Sequence, residues 1–315
     1  MQWKFEDIVA FSRVVEAGSL TAAAERMNLA KSVVSKRISD LERALNTELF
    51  RRSTERLRLS DAGQQFYRRM TPLLNNLHNV VSEASARQDL PLSGQLRIMV
   101  PASFGAAYMR STIADFARLN PSLKIMVDYD DRRIDPVEGG YDVGIRIGYL
   151  RDTSPNVRRL CECPRLICSS PAYARENGAL KTVSDLEDHM TISYAHIPHH
   201  RYWEIDHDNE IEKPIPAPVK PRLVVSNGEA VRDLVLTGMG IAPMPIFMAA
   251  KHLRDGALVP VLRNVRLPKF AIEAVHYPIV PLSRQAQRFI EHLERFFAPP
   301  HPWAKDLEDI HAMQH

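Results

Sequence analysis

Apolar residues in the first 45 positions recur at helical spacing in three successive segments. The first segment begins at Phe5, and its pattern stops at Gly18. Ser19 is a suitable N-cap for the second segment, in which a run of alanines at 22–24 permits close helix crossing. The third segment spans 31–45, and its predicted inward positions are Val33, Val34, Ile38, Leu41 and Leu45. Three short helices are therefore predicted.

The second and third helices are separated by three residues, and a short alternating segment follows the third helix. Two helices joined by such a turn, the second with a polar and basic outer face, have the geometry that places a recognition helix in the major groove of DNA. Leu57 and Leu59 alternate with Arg56 and Arg58, which predicts a small β-wing. The pattern predicts a winged helix-turn-helix in residues 1–60.

Positive charge is concentrated in this part of the chain. Residues 31–58 contain eight Lys or Arg and four Asp or Glu, a net charge of +4, whereas the whole chain of 315 residues carries +3. Such an excess is expected of a surface that binds the phosphate backbone of DNA. Composition alone leaves a solvated helical hairpin with ordinary surface charges as an equal alternative.

A heptad-like pattern follows the predicted wing. Apolar residues are spaced by four and three positions in alternation, which predicts a dimerising linker helix over 61–90, and Pro72 within it predicts a bend. The seam consists of Phe66, Met70, Leu73, Leu77, Val80 and Ala84. An amphipathic helix packed on its own domain is the alternative. The periodicity breaks over 88–94, which we interpret as a hinge.

Strand and helix patterns alternate in the rest of the chain. Strands are predicted over 95–101, 123–129 and 141–147, with a helix over 103–119, and this order favours a mostly parallel α/β sheet. No stretch approaches the ~18 uninterrupted apolar residues of a membrane span, and the start of the chain has no secretion-signal pattern. A cytoplasmic protein without membrane contact is therefore expected.

Three cysteines, Cys161, Cys163 and Cys168, are clustered and odd in number, which favours reduced thiols over a disulfide framework. A zinc or redox site that also uses the histidines of 196–200 is an alternative, but the spacing matches no standard motif of either kind. The sequence has no recognisable local pattern of a catalytic triad or a Walker loop. We expect no cofactor and no metal.

Several short motifs occur in a fixed order near the N-terminus, namely Gly18-Ser19-Leu20, Ala22-Ala23-Ala24, Val34-Ser35, Leu41-Glu42, Leu49-Phe50, Arg52, Leu59 and Ala62-Gly63. With these motifs, residues 10–63 closely resemble the DNA-binding domain of LysR-type transcriptional regulators. Two positions depart from that family. Ala30 stands where the family usually has Ser or Thr, so Ser32 is an alternative helix cap. Asn46 replaces a glycine, and asparagine tolerates the left-handed conformation of a helix end.

Segments of the remaining chain resemble the effector-binding region of the same family, which has the two lobes of a periplasmic-binding-protein-like α/β fold. These segments are 94–105, 141–150, 168–178, 225–245 and 284–297. The resemblance implies an effector-binding domain over 91–297, with lobe I at about 93–163 and 264–297 and lobe II at about 164–263. Residues 298–315 extend past it as a C-terminal tail, which we expect to lie on the surface.

The expected DNA contacts lie on the third helix and the wing. Those expected to approach base edges are Ser35 with Lys31 or Ser32, and those expected to hold phosphates are Lys36, Arg52 and Arg56. The resemblance implies a double-stranded, pseudo-palindromic promoter site. It also implies a homotetramer built as a dimer of dimers, and contact with RNA polymerase.

The expected effector contacts lie where strands end and helices begin, because helix N-termini present free amides to anions there. They are Pro101, Ala102, Ser103, Arg146, Ile147, Gly148, Ser226, Asn227 and Phe247. Arg146 pairs either with an effector carboxylate or with a structural partner. Four apolar residues are either pocket walls or core, namely Pro243, Met244, Pro245 and Phe247.

The resemblance therefore implies a transcription regulator that responds to a small-molecule effector, with an anion favoured, and not an enzyme. A solute-binding transport component is one alternative, but it would need a secretion signal and would not need residues 1–60. An enzyme that uses the cleft is the other.

Overall fold

The structure is a computed structural model. It describes residues 3–51, 57–85, 91–131, 139–149, 156–178, 180–197, 201–206, 214–276 and 282–303. The chain divides into two compact units. The first comprises Met1–Leu90, Asp135–Asp142 and Ile279–Ser283, and the second comprises Pro91–Ile134, Val143–Pro278 and Arg284–His315. Within the described residues, no helix is both long and apolar enough to span a membrane.

The first unit opens with the three predicted short helices, α1 (Phe5–Ala17), α2 (Leu20–Met27) and α3 (Lys31–Leu45). Local caps set their bounds. Gly18 ends α1 with a φ of 69°, and the Ser19 side chain accepts a hydrogen bond from the backbone N–H of Ala22 at the start of α2. Asn46 ends α3 with a φ of 50°, the left-handed conformation expected for it.

A two-stranded wing and a long helix complete the first unit. β1 (Phe50–Arg51) pairs antiparallel with β2 (Arg58–Leu59), and α4 (Asp61–Ser85) follows. Gly63 allows the first turn of α4 to lie close to the wing, because a Cβ atom there would be 1.9 Å from the backbone oxygen of Leu49. The predicted winged helix-turn-helix and linker helix are both present.

Phe11 lies at the centre of the core of the first unit, with its ring centroid 5.4 Å from those of Phe50 and Phe66. The buried core residues are Ile8, Phe11, Val14, Ala23, Ala24, Val34, Ile38, Leu41, Leu49, Phe50 and Leu74. The predicted inward position of Val33 is wrong, because its side chain is 39% exposed. Val34 lies on the inner face of α3, and Val33 lies about 100° away around the helix.

The predicted seam of α4 is divided between the core and the surface. Phe66 and Met70 pack against the core of the first unit, whereas Leu73 and Leu77 are exposed. The side chains of Val80 and Ala84 lie outside the described residues. The helix continues through position 72, so the proline does not end it.

The second unit contains strands β3 (Gly94–Val100), β4 (Leu123–Tyr129), β5 (Val143–Tyr149), β6 (Val157–Cys163) and β14 (Phe270–His276). They form a five-stranded sheet with the order β4-β3-β5-β14-β6. β3 pairs parallel with β4 and β5, but β14 returns between β5 and β6 and pairs antiparallel with both. Helices α5 (Ala102–Phe104) and α6 (Arg110–Leu119) follow β3, and a π-helical segment, Gly105–Met109, joins them.

The remaining strands of this unit form smaller sheets. One contains β7 (Arg165–Ser169), β12 (Ala242–Pro245) and β13 (Val259–Pro260). β8 (Thr191–Tyr194) pairs parallel with β11 (Pro221–Val225), and β9 (Tyr202–Ile205) pairs antiparallel with β10 (Ile215–Pro218). The remaining helices are α7 (Pro171–Asn177), a 3₁₀ turn (Val183–Glu187), α8 (Gly228–Leu236), α9 (Ile246–Arg254) and α10 (Arg284–Phe296).

The expectation of a mostly parallel sheet is wrong. Among the described strands of the second unit, three pairs are parallel and five are antiparallel. β14 pairs antiparallel with β5 and β6, and β12 and β13 pair antiparallel with β7, although long segments of the chain separate these partners. The local alternation of strand and helix does not fix the direction of a strand that returns from so far along the chain.

The beginning of the C-terminal tail is not a surface appendage, which corrects the sequence-based expectation. Trp303 is fully buried, and its ring centroid lies 5.5 Å from that of Tyr108 and 6.2 Å from that of Phe297. Large aromatic side chains bury much apolar surface, so this segment is part of the core of the second unit. Residues 304–315 lie outside the described residues.

Candidate DNA-binding and effector-binding sites

The recognition helix α3 begins at Lys31 without a side-chain cap. Ala30 is the N-cap residue, and its carbonyl accepts hydrogen bonds from the backbone N–H groups of Val33 and Val34. Ser32 therefore lies within the first turn and does not cap the helix, which corrects the alternative drawn from the sequence. The departure at Ala30 removes a side-chain bond but leaves the helix start in place.

The outer face of α3 combines small polar residues with cations. Lys31, Ser32, Ser35 and Lys36 are all exposed. In the described part of the chain, no carboxylate lies within ion-pair distance of either lysine, whereas Arg43 farther along α3 pairs with Asp40 at 2.9 Å. The two unpaired ammonium groups are thus available to phosphates.

Glu42 holds the wing against the recognition helix. Its Oε1 atom accepts hydrogen bonds from the backbone N–H groups of Leu49, at 2.7 Å, and Phe50, at 3.1 Å. In the sequence, Glu42 stands out only as part of the Leu41-Glu42 motif, which does not reveal this role. Arg52 and Arg56, which the sequence assigns to phosphates, lie outside the described residues.

Two of the predicted effector segments meet at one carboxylate of the second unit. Asp131 follows β4, and its Oδ1 accepts a hydrogen bond from the backbone N–H of Ala102 at 2.9 Å. Its Oδ2 accepts one from Nδ2 of Asn227 at 3.0 Å, and Oδ1 of Asn227 caps α8 by accepting one from the N–H of Ala230. Asp131 was missed in the sequence, where nothing but its position after a strand distinguishes it.

Pro101 and Ser103 flank Ala102 at the start of α5, and Ser226 precedes the cap of α8. A Cβ atom on Gly228 would lie 3.2 Å from the Ser103 hydroxyl, so the starts of α5 and α8 are close together. The structure therefore brings these predicted segments into one place, with the protein's own carboxylate between them.

The other predicted effector residues have protein partners. Arg146 donates from Nε and Nη2 to one oxygen of Glu273, at 2.9 and 2.6 Å, across the pair formed by β5 and β14. Ile147 and Gly148 follow it in β5. The Phe247 ring packs edge-on against Phe104, with centroids 5.2 Å apart.

A pocket of the second unit lies among aromatic residues and one buried cation. It is small, with a cavity volume of about 30 Å³, and it opens to solvent. Its lining is Tyr149, Arg165, Ile192, Ser193, Tyr194, Ile197, Tyr202, Trp203, Val231, Pro243 and Leu267. Polar groups converging on a largely apolar wall are typical of small-molecule sites. Of these residues, only Pro243 is a candidate from the sequence, as an apolar wall, and the others were missed.

Arg165 is the cation of this pocket and is only 7% exposed. Its Nε donates to the carbonyl of Pro268 at 2.8 Å, and its guanidinium lies 4.2 Å from the ring centroid of Phe270 and 4.9 Å from that of Tyr149. Among the residues that the structure describes, Nη2 has no hydrogen-bond partner. Burial lowers the pKa of Arg165, and Tyr149 and Glu204 oppose that effect.

The cysteine cluster forms neither a disulfide nor a reactive thiol. Cys161, Cys163 and Cys168 are free and buried, and burial raises the pKa of each thiol to about 12. Over the residues that the structure describes, no group of three or more His, Cys, Asp or Glu side chains is arranged to hold a metal ion. His199 and His200 lie outside those residues.

Two family models match the chain. The bacterial regulatory helix-turn-helix protein of the lysR family matches residues 5–64, and the LysR substrate binding domain matches residues 90–298, more than half of the chain. The chain belongs to the LysR family of transcriptional regulators. This LysR-type regulator therefore has a helix-turn-helix DNA-binding domain and an effector-binding domain, as the sequence predicts. Family membership decides against the transport and enzyme alternatives.

The family assignment agrees with relatives that match over nearly the whole chain. The regulator is 30% identical to the HTH-type transcriptional regulator PtxR of Pseudomonas aeruginosa, over 91% of this chain and 90% of PtxR. It is 29% identical to the HTH-type transcriptional regulator DmlR of Escherichia coli, over 94% of this chain and 95% of DmlR. The full-length structure of the Vibrio cholerae virulence activator AphB matches with 27% identity and a TM-score of 0.55, covering 92% of this chain and 98% of that chain.

Proposed function

We propose that this LysR-type regulator reads its promoter with the outer face of α3. Ser35, with Lys31 or Ser32, approaches base edges, and Lys36 binds a phosphate. Arg52 and Arg56 bind phosphates from the wing. The observation that carries this proposal is the exposed face of α3, on which, in the described chain, the two lysines have no carboxylate partner.

We infer that the regulator assembles as a dimer of dimers on a pseudo-palindromic site. Leu73 and Leu77 are exposed one turn apart on α4, which supports pairing of two such helices. Met126 and Tyr129 are exposed on β4, which is an edge strand of the five-stranded sheet, and support packing between effector-binding domains. Two recognition helices would then contact half-sites about one helical turn apart.

We propose that the effector is an anion bound in the pocket of Arg165. A buried cation with an unused hydrogen-bond donor is costly, and a ligand anion that accepts a hydrogen bond from Nη2 would offset that cost. Aromatic walls such as Tyr202 and Trp203 favour a ligand with a flat apolar body. A ligand oxygen that approaches the amide of Ala102 must first displace Asp131. In the cytoplasm, RNA polymerase at the promoter would contact the regulator and respond to whether the effector is bound.

DNA recognition is tested by selecting genomic fragments on purified full-length protein, followed by footprinting of the enriched fragments. We expect enrichment of sites with two half-sites one helical turn apart, protected together.

Lys36→Ala should lower the affinity for all DNA sequences alike and lower the slope of log affinity against log salt by roughly one unit. Arg43→Ala, which removes a residue already paired with Asp40, is the matched control. A stable monomer that protects one half-site would contradict the assembly, and failure to enrich any site would contradict DNA recognition.

The effector proposal is tested by thermal shift of the full-length protein against a panel of small carboxylates, phosphonates, amines and neutral analogues. We expect stabilisation by aromatic carboxylates and loss of that stabilisation in Arg165→Met. Arg175→Met, at an exposed position of α7, should keep it. Stabilisation by amines alone, or an unchanged response of Arg165→Met, would contradict an anion at this site.

A further inference from the structure

The DNA-facing surface of α3 contains one apolar side chain that the polar contacts leave unexplained. Val33 is 39% exposed, and the exposed residues beside it on this face, Ser32 and Lys36, are polar. Among the described residues, the other exposed large apolar side chains of the first unit lie elsewhere. They are Trp3 before α1, Phe5 in α1, and Leu73, Leu77 and Val81 on α4.

Val33 does little for the stability of the free protein. Val34 is fully buried and Ile38 is 6% exposed, so the inner face of α3 is filled without Val33. A β-branched residue in a helix is also less favourable than alanine. Isolated exposed apolar residues are common on proteins, and it is the position of Val33 in the first turn of the recognition helix that singles it out.

The major groove offers one apolar group for such a side chain. Base edges there present hydrogen-bond donors and acceptors, and only thymine adds a methyl group, at C5. Serine and lysine side chains satisfy the polar edge but gain nothing from that methyl group. Within the DNA-binding role proposed above, we propose that Val33 contacts the C5-methyl group of a thymine and specifies that base at one position of each half-site.

Uracil is the direct probe, because it differs from thymine only by lacking this methyl group. Each thymine of the selected site is replaced by uracil in turn, and the affinity of the full-length protein is measured at fixed salt. Burial of one methyl-sized group corresponds to about a fourfold change in affinity. We expect one thymine in each half-site to show a loss of this size, with the remaining positions unchanged.

Val33→Ala should then bind the thymine site about fourfold more weakly and no longer distinguish thymine from uracil at that position. Ser39→Ala, at another exposed position of α3, is the matched control and should keep the discrimination. The melting temperature should stay unchanged in both variants, because neither position is in the core. Measuring each variant on both the thymine and the uracil site separates a methyl contact from a general effect on the helix.

Three results would overturn the assignment. They are a uracil scan without a sensitive thymine, a Val33→Ala variant that still discriminates, and a change in the oligomeric state of Val33→Ala, which would place this residue in a protein contact. Each can occur while the site itself is bound with normal affinity, so the DNA-recognition proposal survives them. That proposal fails separately, when no site is enriched at all.

Discussion

The two units of this regulator differ in how they satisfy the polar groups that they bury. In the first unit, the buried polar residues bond within four positions of themselves, as Asp7 does to the N–H of Lys4 and Thr71 to the carbonyl of Tyr67. In the second unit, Glu273 bonds to Arg146 and Gln285 to the carbonyl of Ser93, from distant parts of the chain.

The difference extends to groups without partners. Some described side chains have a buried nitrogen or oxygen atom that lacks a hydrogen bond. All of these side chains belong to the second unit, and Arg165 and Trp303 are among them. All three cysteines are there as well. The first unit thus satisfies its buried polar groups locally, whereas the second leaves several buried groups unsatisfied, and Arg165 among them lines the pocket.

The largest effect expected from this difference between the units is on the reactivity of the buried thiols. Their pKa of about 12 leaves about 1000-fold less thiolate than an ordinary cysteine has at pH 8. We expect no reaction of native protein with Ellman's reagent within minutes at pH 8, and three reacting thiols after unfolding in guanidinium. A thiol that reacts rapidly in the native protein would reopen the redox alternative.

The second expected effect concerns the ion pair between distant residues. Arg146→Met leaves the carboxylate of Glu273, which is 3% exposed, without its cation. We expect the free energy of unfolding of the second unit, measured by calorimetry, to fall by about 2 kcal/mol. The expected loss is no larger because Arg146 is half exposed, so solvent screens the pair. Arg118→Met, which breaks an exposed pair with Asp115, should cost less than about 0.5 kcal/mol.

A double variant sharpens that experiment. Replacement of both Arg146 and Glu273 by methionine removes the unpaired charge and should restore most of the lost stability. An equal loss in the single and double variants would show that packing, and not the buried charge, accounts for the effect.

The smallest expected effect tests the local bonding of the first unit. Asp7→Ala removes the acceptor for the N–H of Lys4 at the start of α1 and should cost about 1 kcal/mol in the transition of the first unit. Asp7→Asn keeps an acceptor and is the control. A shift in the transition of the second unit would show that the bonding of Asp7 is not local.

Local bonding also explains which parts of the structure the sequence predicts. Gly18, Ser19 and Asn46 act within one helical turn, so their roles follow from neighbouring residues. The exposure of Val33 was missed because two adjacent valines fit one helical pattern, and only the packed core decides which of them faces inward.

The effector-binding unit was less predictable for the same reason. Helix starts at Ala102 and Asn227 follow from local patterns, but the carboxylate of Asp131 between them depends on how the strands are arranged. The antiparallel return of β14 likewise depends on strand order, which no local pattern reports. Arg165 meets Phe270 and the carbonyl of Pro268, more than 100 positions away, and nothing near it in the sequence indicates these contacts.

The burial of Trp303 against Tyr108 has a consequence for the order in which the chain folds during synthesis. The core of the first unit is supplied by residues 8–74, so all of these core residues leave the ribosome early. The second unit lacks a core residue until position 303 has emerged, and contacts of such long range form slowly. In a nascent chain, the core of the DNA-binding unit would therefore form before the effector-binding unit can complete its own.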